Sequence, residues 1–308
     1  MNVLVIGGNG FIGSHLVDHL LLKNHKVRVF DVSYERYRKP LINVDYRISS
    51  LENIPDLYEA LLGIDIIFHL ATSSVPSTSN IDTISDINKN LIPTLNIINM
   101  AVKLGIKRII YFSSGGAVYG NPSTALVSEN HPLKPISSYG IIKATIENYL
   151  YLYQRMYDIH PLILRPSNPY GPRQGHYIAQ GVISTFLRQI KTNEIITVFG
   201  DGNSPKDYIY IKDLINQCYK LSFSDEVGTF NLGSGVGTTI NQILDVIQKT
   251  TCSTYQIQYI DKKNYDVDRF VLDISKASNI IGTDPVLSLE EGISEVWKWV
   301  NDSIQVDS

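Results

Sequence analysis

The chain has only two cysteines, Cys218 and Cys252, with neither CxxC spacing nor a companion histidine cluster. That scarcity excludes a disulfide framework, argues against a zinc or other metal centre, and suits a reducing cytoplasm. No apolar run approaches the length of a membrane span, so no membrane partner is expected. The apolar start Val3-Leu4-Val5-Ile6 lacks a positively charged lead and runs straight into glycines, which describes a first strand better than a signal peptide. A basic excess is missing as well: the formal charge is −3 and the lysines and arginines are scattered, which speaks against a nucleic-acid partner. Internal repeats and low-complexity tracts are also absent.

What is present is the balance of a globular protein, with 44% hydrophobic and 19% charged residues. At 308 residues the chain exceeds one usual core, so two lobes are expected. The first half alternates short β-branched runs with helical stretches: residues 3–6, 14–23, 27–31, 54–62, 65–70, 90–104, 108–113, 138–157 and 161–165. That alternation predicts an α/β fold with a doubly wound parallel sheet, whose carboxyl-end crevice gathers ligands. Pro166, Pro169, Gly171, Pro172 and Gly175 then break the pattern. The expected division is 1–170 and 171–308, with a return strand to the first sheet near 227–232.

Gly7, Gly10 and Gly13 form GxxGxxG directly after the first strand, with Phe11 and Ile12 opening a helix. Glycines there let the backbone turn tightly and approach a pyrophosphate, whose charge meets free N–H groups and the positive helix end. Asp31 closes the second strand, placed to accept hydrogen bonds from a ribose diol. The pattern is that of a Rossmann-type NAD(P) site and favours NAD. Arg36 and Arg38 leave a 2′-phosphate open, or are simply solvated.

Tyr139-Gly140-Ile141-Ile142-Lys143 sets a phenol and an ammonium four apart, on one helix face about a turn from each other. Tyrosine titrates near 10, but a lysine cation and a positive nicotinamide ring stabilise the phenolate and pull it toward working pH. Tyr139 then becomes a usable acid or base. Upstream, Ser113-Ser114-Gly115-Gly116-Ala117-Val118-Tyr119-Gly120 ends a predicted strand that opens on the same cleft.

Together these motifs resemble the extended short-chain dehydrogenase/reductase family, and within it the UDP-glucose 4-epimerases and their reductase relatives. The resemblance covers nearly the whole chain: His69-Leu70-Ala71, Asn90, Arg165-Pro166-Ser167-Asn168-Pro169, Asp207-Tyr208-Ile209-Tyr210 and residues 273–277 also fall in family order. It implies that Leu70, Ala71 and Asn90 help bind the dinucleotide, and that Lys143 binds the nicotinamide ribose and tunes Tyr139. It implies that Asn168 contacts the nucleotide sugar near its diphosphate and that Val198 and Phe199 border the base. It further implies a homodimer through helices 90–104 and 138–157. An Asn between Ser167 and Pro169 has a plain turn reading beside the functional one.

Three positions depart from the family. Many relatives carry a hydroxyl where Gly115 stands, so Ser113, Ser114 or a water is the candidate replacement. Lys206 and Lys263 stand where such epimerases have diphosphate-binding arginines, and lysine lacks the bidentate fork. The implied chemistry is hydride transfer at C4 of a nucleotide-linked hexose, with the cofactor carrying the hydride. Loss of a hydroxyl at Gly115 costs a two-faced epimerase more than a one-way enzyme, which tips the expectation toward a dTDP-4-keto-6-deoxyhexose reductase. The alternative is a UDP-glucose or UDP-N-acetylglucosamine 4-epimerase. A composition rich in Ile, Asn, Tyr and Lys is met in bacterial surface-polysaccharide, lipopolysaccharide and O-antigen clusters. A non-catalytic dinucleotide-binding regulator is the distant reading, against which the retained Tyr139 and Lys143 speak.

Overall fold

The computed structural model describes residues 1–175, 181–261, 267, 269–282 and 286–303. The chain begins β1 (Asn2–Ile6), α1 (Phe11–Leu22), β2 (Lys26–Asp31), β3 (Val44–Ile48), α2 (Ile54–Leu61) and β4 (Ile66–His69). Two short helices follow, α3 (Pro76–Ser79) and α4 (Thr83–Asp86), then a π-helical turn (Ile87–Leu91) that leads into α5 (Ile92–Leu104). Next come β5 (Arg108–Phe112), α6 (Gly115–Val118), α7 (Ser138–Met156), β6 (His160–Pro166) and β7 (Asn168–Tyr170). The rest is α8 (Val182–Lys191), β8 (Ile196–Phe199), β9 (Lys206–Tyr210), α9 (Ile211–Ser222), β10 (Gly228–Leu232), β11 (Gly237–Thr238), α10 (Ile240–Thr251), β12 (Ile257–Ile260), α11 (Ser275–Ile281) and α12 (Leu289–Ser303).

Seven strands form the central sheet in the order β10-β6-β5-β4-β1-β2-β3. The pairings from β3 across to β6 are parallel, in register Val3↔Val27, Val3↔Ile66, Ile66↔Arg108 and Arg108↔His160. This is the Rossmann-type doubly wound order, and its direction of winding reverses between β1 and β4, where such sheets open a crevice at the carboxyl ends of the strands. Strands covered on both faces read as continuous apolar runs. Val3, Leu4, Val5 and Ile6 are accordingly all fully buried. The core of Leu4 and Ile6 continues through Phe30, Ile67, Ile97, Ile142, Ile146 and Leu150, each such side chain contributing about 1.5–3 kcal/mol over its exposed state.

Strand β3 is not among the runs read from the sequence, because Val-Asp-Tyr-Arg-Ile at a sheet edge buries only Val44 and carries little apolar signal. The π-helical turn before α5 also escapes a periodicity reading. Pro93, the second residue of α5, has no N–H to return to the carbonyl four residues back, which favours a widened turn there.

The chain forms two interleaved compact units. The first comprises Met1–Gly120, Glu129–Pro166 and Cys218–Phe230. The second comprises Asn121–Ser128, Ser167–Gln217 and the chain from Asn231 onward. Within the second, β7 pairs with β9 in parallel and β11 with β9 antiparallel, while β12 and β8 form a separate parallel pair. Helix α12 packs against α8 and α10, burying Ile293, Val296 and Val300. Among the described residues no helix is long and apolar enough to cross a membrane.

Candidate active site

The loop between β1 and α1 admits little but glycine at two positions. Gly7 has φ +82°, and a Cβ there would stand 2.7 Å from the Ala71 amide nitrogen. A Cβ at Gly13 would stand 2.1 Å from the Gly7 carbonyl oxygen. Gly10 is the N-cap of α1 and supplies no side-chain cap, and the first turn, with Phe11 and Ile12, carries no acid. An uncapped, unneutralised helix start is suited to an anion.

Asp31, at the end of β2, accepts from the Asn9 amide at 2.9 Å and the Val32 amide at 2.7 Å. Burial raises its carboxyl above the usual range, while the amides of Asn9, Val32 and Ser33 pull it back. Two carboxylate oxygens hold about four acceptor sites, so capacity for a diol remains. The Asn9 Oδ1 beside it is buried without a partner among the described residues. The Leu70 and Ala71 amides both donate to the Ile6 carbonyl, at 2.9 and 3.1 Å, which brings the end of β4 against the glycine loop. The glycine cradle, the bare helix start and Asp31 therefore fit a dinucleotide. Arg38 is held by Glu35 at 2.7 Å and Asp18 at 2.5 Å, so its charge is already matched.

Tyr139 and Lys143 occupy successive turns at the start of α7, where the Ser137 side chain caps the helix by accepting from the Gly140 amide at 3.2 Å. The Lys143 Nζ donates to the Phe112 carbonyl at 2.7 Å and stands 4.8 Å from the Tyr111 ring centroid and 5.6 Å from that of Tyr139. Burial brings Lys143 down to about 8, opposed by the charges of Glu147 and Asp86. Burial likewise pushes Tyr139 up to about 12, with a hydrogen bond from the Ser114 side chain pulling down and Asp86 pushing up. Among the chain's own residues, burial dominates the Tyr139 pKa.

The two candidate serines have different partners. The Ser113 hydroxyl donates to Glu147 Oε1 at 2.5 Å. Ser114 leaves the start of α6 uncapped and bonds Tyr139 instead. Asn90 sits in the π-helical turn, and its side chain holds Ser73, Ser74 and Asp86, accepting from the Ser73 amide at 2.8 Å and donating to Asp86 Oδ1 at 2.7 Å. Asp86 also accepts from Ser138 at 2.7 Å, which fixes the first turn of α7. A cavity of about 10 Å³, the room one water needs, is lined by Tyr139, Lys143, Tyr111, Asp86 and Asn90 among others. Asp86, Tyr111 and Glu147 are the members the sequence reading missed.

Residues 3–233 match the model of the NAD dependent epimerase/dehydratase family. The chain belongs to that family. Among the relatives of this epimerase/dehydratase chain, a Methanocaldococcus jannaschii protein provisionally named UDP-glucose 4-epimerase is 34% identical, covering 98% of this chain and 99% of its own. The dTDP-4-dehydro-6-deoxyglucose reductase of Escherichia coli is 32% identical, covering 96% of each. Among solved structures, the Thermotoga maritima UDP-glucose 4-epimerase with UDP-glucose superposes with a TM-score of 0.94 at 32% identity, over 99% of this chain and all of that one. The Thermus thermophilus UDP-glucose 4-epimerase in complex with NAD gives 0.92 at 29% identity, again over 99% of this chain and all of that one. The family to which the chain belongs is NAD dependent, in keeping with the NAD(P) site expected from the glycines and Asp31.

The remaining residues singled out in the epimerase/dehydratase chain lie in the second unit. Asn168 on β7 donates to the Asp207 carbonyl at 2.8 Å, one residue along β9 from Lys206, which is half-buried. Val198 points into the interior of its unit at 2% exposure, and Phe199 beside it is exposed. Lys263 lies outside the described residues.

Proposed function

We propose that the chain is a nucleotide-sugar 4-epimerase acting on a UDP-hexose. The reading is supported by the Ser114 side chain, which lowers the Tyr139 pKa against burial: the reductase expectation rested on the hydroxyl missing at Gly115, and a hydroxyl one residue earlier acts on the same phenol. The length-wide likeness to UDP-glucose 4-epimerases points the same way.

In this reading Gly7, Gly10, Phe11, Ile12, Gly13, Asp31, Leu70 and Ala71 hold the dinucleotide, with Asn90 bracing the loop at Ser73 and Ser74. When bound, NAD supplies hydride acceptance and donation at C4 of the sugar and a positive charge to the site. Tyr139 takes the C4 hydroxyl proton and later returns it. Lys143 holds the nicotinamide ribose and favours the phenolate, and Ser114 donates to the oxygen that becomes charged. Ser113 donates to Glu147 instead. Asn168, Lys206, Lys263 and the strand carrying Val198 are assigned to the nucleotide diphosphate and base. A homodimer through α5 and α7 is supported by Ile92, Ile141, Leu152 and Met156, which those helices leave exposed, and light scattering tests it.

The second reading, reduction of a dTDP-4-keto-6-deoxyhexose, is favoured by the full-length likeness to the E. coli reductase. Cofactor stoichiometry separates the two. An epimerase interconverts UDP-glucose or UDP-N-acetylglucosamine with its C4 epimer, followed by product NMR, without added reductant. One NAD(P)H oxidised per 4-keto sugar reduced, with no epimerisation of either UDP-sugar, would replace the epimerase reading by the reductase.

A further inference from the structure

Behind Tyr139 and Lys143 lies an ion pair that the proposed chemistry does not use. Glu147, one turn beyond Lys143 on α7, is 1% exposed, and Arg165 near the end of β6 is 4% exposed. Arg165 grips the carboxylate with two nitrogens, Nε at 3.0 Å and Nη2 at 2.5 Å, while its Nη1 donates to the Tyr119 hydroxyl at 2.8 Å. The Ser113 hydroxyl donates to the same Glu147 Oε1. One carboxylate thus gathers the end of β5, the middle of α7 and, through Arg165, β6 and the residue after α6.

A pair this deep in the fold is a poor way to gain stability, because two ions must be stripped of water and an apolar pair of similar volume often serves as well or better. Its position is more telling than its strength. Ser113 is the residue before Ser114, so fixing its side chain fixes where the next residue begins. Glu147 is also the anion one helical turn from Lys143.

We propose that Glu147 is a positioning residue of the active site: it clamps Ser113 so that Ser114 meets Tyr139, and it is the fixed counter-charge that keeps Lys143 an ammonium. This rests on Tyr139 and Lys143 being the reacting pair. The other groups facing Lys143 leave that role to few candidates. His69, at the end of β4, is neutral, held down to about 3 by burial and by Lys143 itself. Its Nε2 faces Thr94 Oγ1 at 2.8 Å, and Thr94 already donates to the Asn90 carbonyl at 2.6 Å. Tyr111 on β5 and Tyr139 on α7 are phenols held above their usual range by burial. Arg165 is a second cation, already bound to Glu147. Asp86 on α4 is the other anion, but it is shared among Ser74, Asn90 and Ser138.

The test uses the full-length protein freed of bound nucleotide. Glu147→Gln keeps the volume and an acceptor for Ser113 but strands the Arg165 charge, so the decisive variant is Glu147→Gln with Arg165→Met, which removes both ions together. Thermal melting establishes that it folds. Removing the anion lowers the Lys143 pKa, so the ammonium is lost at lower pH. The alkaline limb is then expected to fall by about one pH unit or more, both for kcat on the UDP-sugar and for NADH affinity followed by fluorescence, with kcat at pH 8 down at least about fivefold.

Glu147→Asp keeps the charge and shortens the clamp, so it should lose kcat while its alkaline limb stays in place. It also carries the test if the double variant does not fold. Wild-type kcat and an unmoved limb in the double variant, or full kcat in Glu147→Asp, overturns the proposal. A shifted NADH limb in a chain that epimerises no sugar leaves the counter-charge standing and sinks the epimerase reading instead.

Discussion

Replacing Ser114 by alanine isolates the step on which the epimerase reading turns. Its hydroxyl is the hydrogen bond that pulls the Tyr139 pKa down against burial, and Gly115 beside it has no side chain to take over. The bond strengthens as the phenol oxygen becomes charged, so its loss falls on the transition state. A hydrogen bond to a charged group is worth about 1.5–3 kcal/mol, which corresponds to about a 10–150-fold fall in kcat. The KM for the UDP-sugar should stay within about twofold, because the neutral ground state loses far less. The pH profile adds a sign. Without the donor the Tyr139 pKa rises, the basic form requires higher pH, and the acid limb of kcat should move up by about one to two units. Ser114→Thr keeps the hydroxyl and should keep most of the rate. The assay is interconversion of the two C4 epimers across roughly pH 5–10. A Ser114→Ala rate within twofold of wild type, on an unmoved acid limb, refutes the assignment.

Tyr139→Phe is expected to cut turnover by about 10²–10⁴-fold with NADH affinity nearly unchanged, and appreciable turnover by calorimetry or NMR would rule out its acid–base role. Asp31→Ala removes the acceptor that also anchors the Asn9 amide, so NADH affinity should drop by about tenfold or more and NADPH affinity less; equal losses in fluorescence titrations would show that Asp31 does not discriminate. Gly13→Ala drives a Cβ to 2.1 Å from a backbone oxygen, so overpacking should cost about 1–3 kcal/mol and dinucleotide binding should weaken. An unchanged Tm and Kd would mean that the loop yields more readily than its contacts indicate.

The elements that position the site were legible because each rests on a local rule. Glycines after an apolar run, an acid at the next strand's end and a four-residue spacing of Tyr139 and Lys143 need no knowledge of distant chain. The choice between Ser113 and Ser114 was not legible, since both hydroxyls follow the same strand and only the partner across the fold, Glu147 or Tyr139, distinguishes them. Glu147 itself reads as one more polar residue on a helix, because nothing adjacent announces Arg165 eighteen positions on. Asn90 was found by its place in family order, but its bracing of Ser73 and Ser74 depends on a widened turn that a 3.6-residue period does not reveal. The reductase expectation rested on the hydroxyl missing at Gly115, and the influence of the neighbouring Ser114 on Tyr139 shows only once the chain is folded.

Strand β10 leaves a mark on the protein's biosynthesis. It completes the central sheet beside β6, yet it is made about 60 residues after β6 ends. At roughly 5–20 residues per second, β6 therefore waits about 3–12 s on the ribosome with one row of backbone N–H and C=O groups unpaired. Such an edge is a template for any passing strand. Chaperone engagement should concentrate on nascent chains between these two points, and a stop just before Gly228 should yield a protein that aggregates although its glycine loop, Tyr139 and Lys143 are all present.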